Sequence, residues 1–150
     1  MMTLRWIIVS AVLLLTGCQS TGVTVDSQLK LEGTWHIEEI NGQSVVNYSP
    51  AQLSFSPNGA LSGNNSCNTF TGNYTFIDDV LTLLPKAGTM KACVDALESQ
   101  EKNVMALMPK VTQARLVKTQ LILQNKEGKT LLMLKRVSHA QGDDMSMTPN

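Results

Sequence analysis

Residues 62–74 read SGNNSCNTFTGNY and form the most unusual stretch of the chain. Its two glycines and four asparagines tolerate positive backbone φ, and asparagine side chains bond to nearby backbone in tight loops. Phe70, Tyr74 and Phe76 share one parity, which predicts a strand with one buried face. Gly72 lies between them, where a β-bulge or the close approach of another backbone is expected. The stretch therefore predicts a tight loop that leads into a strand.

The sequence on either side of this stretch predicts further short strands. Trp35 and Ile37 alternate with polar neighbours, and the pair Asn41-Gly42 follows as a reverse-turn signal. The other strands are expected near residues 53–55, 60–62, 80–84, 115–118, 121–125 and 130–135. Short strands separated by turn residues are typical of antiparallel sheets, which need only brief connections.

One segment changes from the period of a strand to that of a helix. Apolar residues from Leu97 to Met108 recur at near-helical spacing, which predicts one amphipathic helix of about four turns that Pro109 ends. Asp95 and Glu98 match the spacing of a capping box at its start. Seven or eight strands with one inserted helix predict a mainly β (α+β) fold, a small antiparallel barrel that is closed or nearly closed.

The first eighteen residues indicate export. Arg5 precedes an apolar stretch from Trp6 to Leu15, which at about ten residues is too short to span a bilayer as a helix and is typical of a signal peptide. The following Leu15-Thr16-Gly17-Cys18 resembles the lipobox of bacterial lipoproteins. This resemblance implies cleavage before Cys18, diacylation of its thiol and acylation of its new amine by palmitate-type chains. We therefore expect a lipoprotein anchored to the membrane through Cys18.

These features predict the organisation and location of the chain. We expect a signal peptide over residues 1–17, a lipidated N-terminus and tether over 18–32, a folded domain over 33–137 and a disordered tail over 138–150. Gln19 stands where the lipoprotein family's inner-membrane retention signal would place aspartate. By this resemblance the protein faces the periplasm, and the outer membrane is the favoured site of anchoring.

Three cysteines remain to be assigned. Lipidation uses Cys18 and leaves Cys67 and Cys93 as a pair, and in an oxidising compartment such a pair usually forms a disulfide. The alternative is a reactive Cys67 with His36 as its general base. Both interpretations remain open from the sequence.

Composition and motifs favour neither a nucleic-acid ligand nor a catalytic site. Basic and acidic residues number 12 each, so no overall positive charge is left for phosphate binding, and we expect no nucleic-acid partner. The chain has no P-loop, Cys-x-x-Cys, His-x-x-x-His or Gly-x-Ser-x-Gly motif. Glu38 and Glu39 are adjacent in a predicted strand and point to opposite faces, so they cannot form a catalytic pair. We expect no enzyme activity, no metal and no cofactor.

The central stretch carries a family resemblance. It contains Gly-x-x-x-Cys-Asn-x-Phe-x-Gly-x-Tyr, formed by Gly63, Cys67, Asn68, Phe70, Gly72 and Tyr74. The segment Thr89–Cys93 and Glu101 follow at matching spacing, and Gly33-Thr34-Trp35 opens the region. Over about Gly33 to Val137 the chain closely resembles the META domain, also called the HslJ-like domain.

This resemblance implies a small antiparallel barrel with one helix in an exported bacterial protein. It implies structural roles for the motif: a disulfide between Cys67 and Cys93, loop formation by Asn68 and Gly72, and core positions for Trp35 and Phe70. The family has no accepted catalytic site, and some members are linked to heat shock and to antibiotic tolerance.

Two functions remain open from the sequence. The first is a non-enzymatic envelope lipoprotein that supports envelope integrity or tolerance of heat and antibiotics by binding a protein or apolar ligand. The second follows from the fold's similarity to a lipid-binding secretion pilotin: a lipid carrier that holds an acyl chain inside the barrel. A barrel filled by its own side chains would disfavour the second function.

Overall fold

The computed structural model describes residues 29–86 and 88–138. The predicted signal peptide, Cys18 and residues 139–150 of the predicted tail lie outside this range. Within it the chain forms nine strands, β1 (Gly33–Ile40), β2 (Gln43–Ser44), β3 (Gln52–Phe55), β4 (Ala60–Asn64), β5 (Thr69–Ile77), β6 (Val80–Lys86), β7 (Gln113–Val117), β8 (Gln120–Gln124) and β9 (Thr130–Arg136). Helix α1 (Asp95–Leu107) continues into a 3₁₀ turn (Met108–Lys110). In the described part, neither helix is long and apolar enough to cross a membrane.

The strands form one curled antiparallel sheet in the order β6-β5-β4-β3-β1-β9-β8-β7, with the two-residue β2 paired to β1. Its two end strands approach each other. The N–H of Leu81 in β6 donates to the carbonyl of Thr112, just before β7, at 3.0 Å. The predicted mainly β, nearly closed barrel with one helix is thereby confirmed. Tight turns join the neighbouring strands, and Asp78 and Asp79 both have positive φ in the β5–β6 turn, as a type I′ hairpin turn requires.

The two ends of the barrel differ, and we call them the capped end and the base. The capped end carries helix α1, the loop of residues 45–51 and the β4–β5 and β8–β9 connections. The base is the opposite end. It contains the chain segments before β1 (residues 29–32) and after β9 (residues 137–138), together with the β3–β4, β5–β6 and β7–β8 turns.

Side chains fill the interior of the barrel. Twelve large side chains are almost completely buried: Trp35, Ile37, Leu53, Leu61, Leu81, Leu83, Val104, Met108, Leu121, Leu123, Leu132 and Leu134. Burial of this many apolar groups is the main favourable term in folding. Phe55 and Phe70 join the same core at 2% exposure each. The predicted core positions of Trp35 and Phe70 are therefore correct.

The packed domain begins before Gly33, where the sequence analysis placed its start. Leu31 is only 3% exposed and belongs to the core, and Leu29 packs partly against it. The carbonyl of Leu31 accepts a hydrogen bond from the indole Nε1 of Trp35 at 2.7 Å. A buried indole N–H needs such a partner. The predicted boundary was wrong because this short segment has no periodicity of its own.

Two local predictions, at the helix start and at Pro85, differ from the structure, and at Gly72 the structure selects one of the two predicted alternatives. Val94, and not Asp95, is the N-cap of α1, and no side chain caps it; Glu98 instead accepts from the Cys93 N–H at 3.3 Å. At Gly72 the ladder between β5 and β6 is regular, so the glycine provides close approach and not a bulge. Strand β6 continues through Pro85, which is tolerated because β6 is an edge strand.

Candidate functional site

The asparagine loop, residues 64–68, is held in shape by its own side chains. The N–H of Asn65 donates to the Asn68 carbonyl at 2.9 Å, and the N–H of Asn68 donates to the Asn65 side-chain oxygen at 2.9 Å. The N–H of Ser66 donates to the side-chain oxygen of Asn64 at 2.8 Å, and Ser66 has a φ of 109°. These local bonds satisfy backbone groups that no strand partner reaches.

Asn68 joins three parts of the capped end. Its side-chain nitrogen donates to Glu101 of α1, at 3.0 Å to Oε2 and 3.3 Å to Oε1. Its side-chain oxygen accepts from the Lys91 N–H at 2.7 Å and from the Thr89 hydroxyl at 2.9 Å. Asn65 adds a bond from its side-chain nitrogen to Glu101 Oε1 at 3.1 Å. The side chains of Asn68 and Glu101, with the added bond from Asn65, thus hold the loop, the helix and the segment before the helix together.

The segment before the helix, residues 88–93, is called the strap. Cys93 forms a disulfide with Cys67, with an S–S distance of 2.04 Å and a Cα–Cα distance of 5.9 Å. Thr89 pairs with Thr69 through a bond from the Thr89 N–H to the Thr69 carbonyl at 3.0 Å. A Cβ on Gly88 would overlap this carbonyl, which explains a glycine at that position. The structure contains the disulfide that the sequence predicts, and so gives no support to a reactive Cys67 thiol with His36 as its base.

Two further polar residues of this network were not singled out by the sequence analysis. The hydroxyls of Ser49 and Ser66 are 3.2 Å apart. Gln100 of α1 donates from Nε2 to the Ser66 hydroxyl at 3.4 Å and accepts from the Val46 N–H at 2.9 Å. These residues lie far apart in the sequence, and no local pattern connects them. Among the residues described, Thr112 has the single buried side-chain polar atom that lacks a partner.

The remaining motif residues have structural positions on strands β4 and β5. A Cβ on Gly63 would overlap the carbonyl of Gln52, and one on Gly72 would overlap the carbonyl of Leu84. Both glycines therefore allow neighbouring strands to approach closely. Close packing alone therefore accounts for these two glycines of the motif.

Tyr74 is half-buried beside the core near the base. Its hydroxyl donates to the Ser56 carbonyl at 2.8 Å. Its ring meets that of Phe55 edge to face, with centroids 5.0 Å apart, a favourable aromatic geometry. Burial, and secondarily the negative charge of Glu32, raise the pKa of the Tyr74 hydroxyl above its usual 10.0.

Arg136 fixes the segment that leads into β1. Its guanidinium lies 4.2 Å from the centre of the Trp35 ring. Nη1 donates to the Glu32 carbonyl at 2.9 Å, and Nη2 donates to the Lys30 carbonyl at 3.2 Å. Gly33, at a φ of 115°, lets the guanidinium approach, because a Cβ there would lie 2.7 Å from Nη1. Arg136 therefore connects the start and the end of the domain at the base.

Several clefts open at the base, and inward-facing residues of the barrel line part of them. One of about 290 Å³ is lined by Trp35, Leu116, Lys118, Thr119, Lys135, Arg136 and Ser138. A second, of about 470 Å³, shares Leu116 and continues along Leu29, Phe76 and Ala114. The described residues contain no group of three or more His, Cys, Asp or Glu side chains placed to hold a metal ion. A third cleft at the base, of about 540 Å³, has Glu32, Asp78 and Asp79 in its lining. The base thus offers apolar surface, with cationic groups on the β7–β9 side and carboxylates beside the β5–β6 turn, and the capped end offers a polar network.

Comparisons with known proteins place the chain in a family. The META domain family model matches residues 27–138, while a comparison with curated proteins finds no significant match. An NMR structure of a protein from Burkholderia xenovorans superposes with a TM-score of 0.59 at 21% identity, over 71% of this chain and 83% of that one. A crystal structure of a DUF4847 family protein from Bacteroides vulgatus gives 0.54 at 14%, over 69% and 92%. At these identities the two structures show a shared fold alone, but the family model covers most of the chain, which therefore belongs to the META domain family.

Proposed function

We propose that this chain is a non-enzymatic envelope lipoprotein whose META domain binds a protein or apolar ligand on its outer surface. Acylated Cys18 holds the domain at the membrane on the periplasmic side, in the outer membrane by preference. Binding of this kind would support the integrity of the envelope under heat or antibiotic stress. The lipobox-like Leu15–Cys18 segment supports the anchoring half of the proposal.

The packing of the barrel interior carries the binding half of the proposal. Trp35, Val104 and Met108 each have 0% exposure. An acyl chain inside the barrel would have to displace side chains such as these, and each displacement loses favourable burial. The clefts described above, in contrast, open to solvent at the base, where Leu116 is 47% exposed. This arrangement supports an outer binding surface and disfavours the alternative role as a pilotin-like lipid carrier.

The polar network at the capped end supports a structural role over catalysis. Cys67 is used in the disulfide, and the carboxylate of Glu101 is held by the side-chain amides of Asn65 and Asn68. Neither group has the nucleophile–base arrangement by which covalent catalysis is recognised. The motif residues accordingly stabilise the loop, the strap and the helix relative to one another.

Metabolic labelling with a palmitate analogue tests the anchoring. The full chain should be labelled, and the Cys18→Ala variant should not be. The Cys67→Ala/Cys93→Ala variant is a matched control, because it removes two cysteines outside the lipobox-like segment and should keep its label. Equal labelling of the wild type and Cys18→Ala would refute anchoring through this residue.

A further inference from the structure

We infer that the base of the barrel docks onto the anionic phospholipid headgroups of the membrane in which Cys18 is anchored. The inference rests on the proposed anchoring for the identity of the membrane. It adds an orientation: the base faces the lipid surface, and the capped end, with its disulfide and helix, faces away. Three features of the base support it, and each is independent of the others.

The first feature is positive charge on the β7–β9 side of the base. The 290 Å³ cleft is lined by Lys118, Lys135 and Arg136, and no carboxylate lines it. The one ion pair of the described residues joins Lys126 and Glu127, and neither residue lines this cleft. Lys118 and Lys135 are exposed, so their charges are available to an anionic ligand. Cationic side chains close to an anionic bilayer are attracted to its surface potential.

The second feature is exposed apolar surface beside these charges. Leu116, which lines both clefts, is 47% exposed. Val117 is 45% exposed at the end of β7, and Val137 is 36% exposed just after β9. Apolar side chains next to lysines are typical of surfaces that enter the headgroup region, where both kinds of group are satisfied. Asp79 lines the larger cleft, and Glu32 and Asp78 join it in the neighbouring cleft, so the positive charge of the base is confined to the β7–β9 side.

The third feature is the direction from which the anchored chain arrives. Leu29 is the first described residue and lies at the base, where it lines the larger cleft. Cys18 precedes Leu29 by eleven residues, so the two Cα atoms can be separated by no more than about 38 Å even in a fully extended chain. An anchor at Cys18 therefore keeps the base close to the bilayer, and the charge and apolar surface found there match a bilayer surface.

Vesicle binding tests this orientation without the anchor. The chain from Gln19 to Asn150 retains every contact described above and lacks Cys18. Its partitioning is measured by co-sedimentation with vesicles of phosphatidylcholine alone and of phosphatidylcholine mixed with phosphatidylglycerol. We expect at least about tenfold stronger binding to the anionic vesicles, and a loss of about tenfold or more of that binding in the Lys118→Gln/Lys135→Gln variant.

The Lys91→Gln/Lys102→Gln variant is the matched control. It removes the same two charges from exposed positions of the strap and of helix α1 at the capped end, and its binding should fall by less than about twofold because those lysines lie at the other end of the barrel from the base. Equal losses in the two variants would mean that net charge alone drives binding, and would overturn the inference. Failure of the wild type to prefer anionic vesicles would overturn it too.

The two proposals fail in different experiments. Vesicle binding of the chain from Gln19 does not depend on acylation, whereas the labelling of Cys18 does not depend on the base. Equal melting temperatures of the wild type and both lysine variants, as expected for exposed positions, will establish that any loss of binding comes from the missing charges.

Discussion

The side-chain nitrogen of Asn68 donates to both carboxylate oxygens of Glu101, at 3.3 Å to Oε1 and 3.0 Å to Oε2. Asn68 is buried, at 5% exposure. Its side-chain oxygen is used as well, since it accepts from Lys91 and Thr89 of the strap. An amide is the side-chain group that donates to a carboxylate on one side and accepts two bonds on the other. The pair Asn68–Glu101 therefore explains why the motif has asparagine directly after its cysteine.

The Asn68→Asp substitution should destabilise the domain strongly at neutral pH. It replaces the donor with a second carboxylate against Glu101, so a buried hydrogen bond is lost and two like charges face each other. We expect the free energy of unfolding to fall by at least about 2 kcal/mol, measured by urea denaturation. The loss should shrink on acidification, because a protonated carboxyl group can again donate to its neighbour.

The matched control for this substitution is Asn73→Asp. Asn73 is exposed on β5, so the same chemical change should alter stability by no more than about 0.5 kcal/mol. If both variants lose the same stability, Asn68 does not have the structural role assigned to it.

Removal of the disulfide should weaken the fold without changing its architecture. The Cys67→Ser/Cys93→Ser variant opens a crosslink between residues 26 apart in sequence, for which the chain-entropy model gives a loss of about 3 to 3.5 kcal/mol. Guanidinium unfolding with and without reductant measures it. Reductant should lower the stability of the wild type alone; a wild type that is insensitive to reductant would indicate that the thiols are free.

The burial of Met108 predicts that its substitution costs more stability than the substitution of an exposed methionine. Met108 follows α1 at 0% exposure, whereas Met90 in the strap is 96% exposed. Met108→Ala leaves a cavity in the core and should cost about 2 to 5 kcal/mol of unfolding free energy. Met90→Ala should cost less than about 0.5 kcal/mol. Thermal or urea unfolding of the two variants compares them directly, and similar costs would contradict the packing of the helix over the core.

The raised pKa of Tyr74 predicts a pH dependence of stability at high pH. In the folded state the hydroxyl holds its proton to a higher pH than in the unfolded chain. The contribution of the protonated hydroxyl to folding stability is therefore fully present below the usual pKa of 10.0. That contribution is lost as the pH rises through the folded-state value. We therefore expect the stability difference between the wild type and Tyr74→Phe to shrink between pH 9 and about 11, as measured by urea unfolding. A stability difference that grows over this pH range would contradict a raised pKa of Tyr74.

Much of this fold is predictable from local sequence patterns. The alternation around Trp35 and around Phe70 places both side chains in the core, because a strand exposes every second residue to the same face. Turn signals such as Asn41-Gly42 and Asp78-Asp79 mark hairpins, and both have the positive φ values that such turns need. The disulfide is one of the two interpretations that the sequence leaves for Cys67 and Cys93 once Cys18 is assigned to the predicted lipidation, and that chemical argument is independent of the fold.

Features that depend on distant residues are not predictable in this way. Leu31 is buried in the core and its carbonyl accepts from the Trp35 indole, yet no pattern in residues 29–32 indicates either feature. The cleft at the base combines Trp35, Leu116 and Lys135 from three separate strands. Glu98 has the spacing of a capping residue from Asp95 but accepts from the Cys93 N–H, because the helix has its N-cap one residue earlier, at Val94.

The most direct test of the account is whether the barrel interior admits a lipid chain. The chain from Gln19 to Asn150 is titrated with a fluorescent fatty acid, alongside the Val104→Phe variant, which enlarges a side chain with 0% exposure. A filled barrel predicts no saturable binding of the fatty acid at micromolar concentrations. It also predicts that overpacking lowers the unfolding free energy of the variant by about 1 to 3 kcal/mol. Saturable micromolar binding by the wild type, abolished in a Val104→Phe variant of unchanged stability, would contradict the account and favour the lipid carrier.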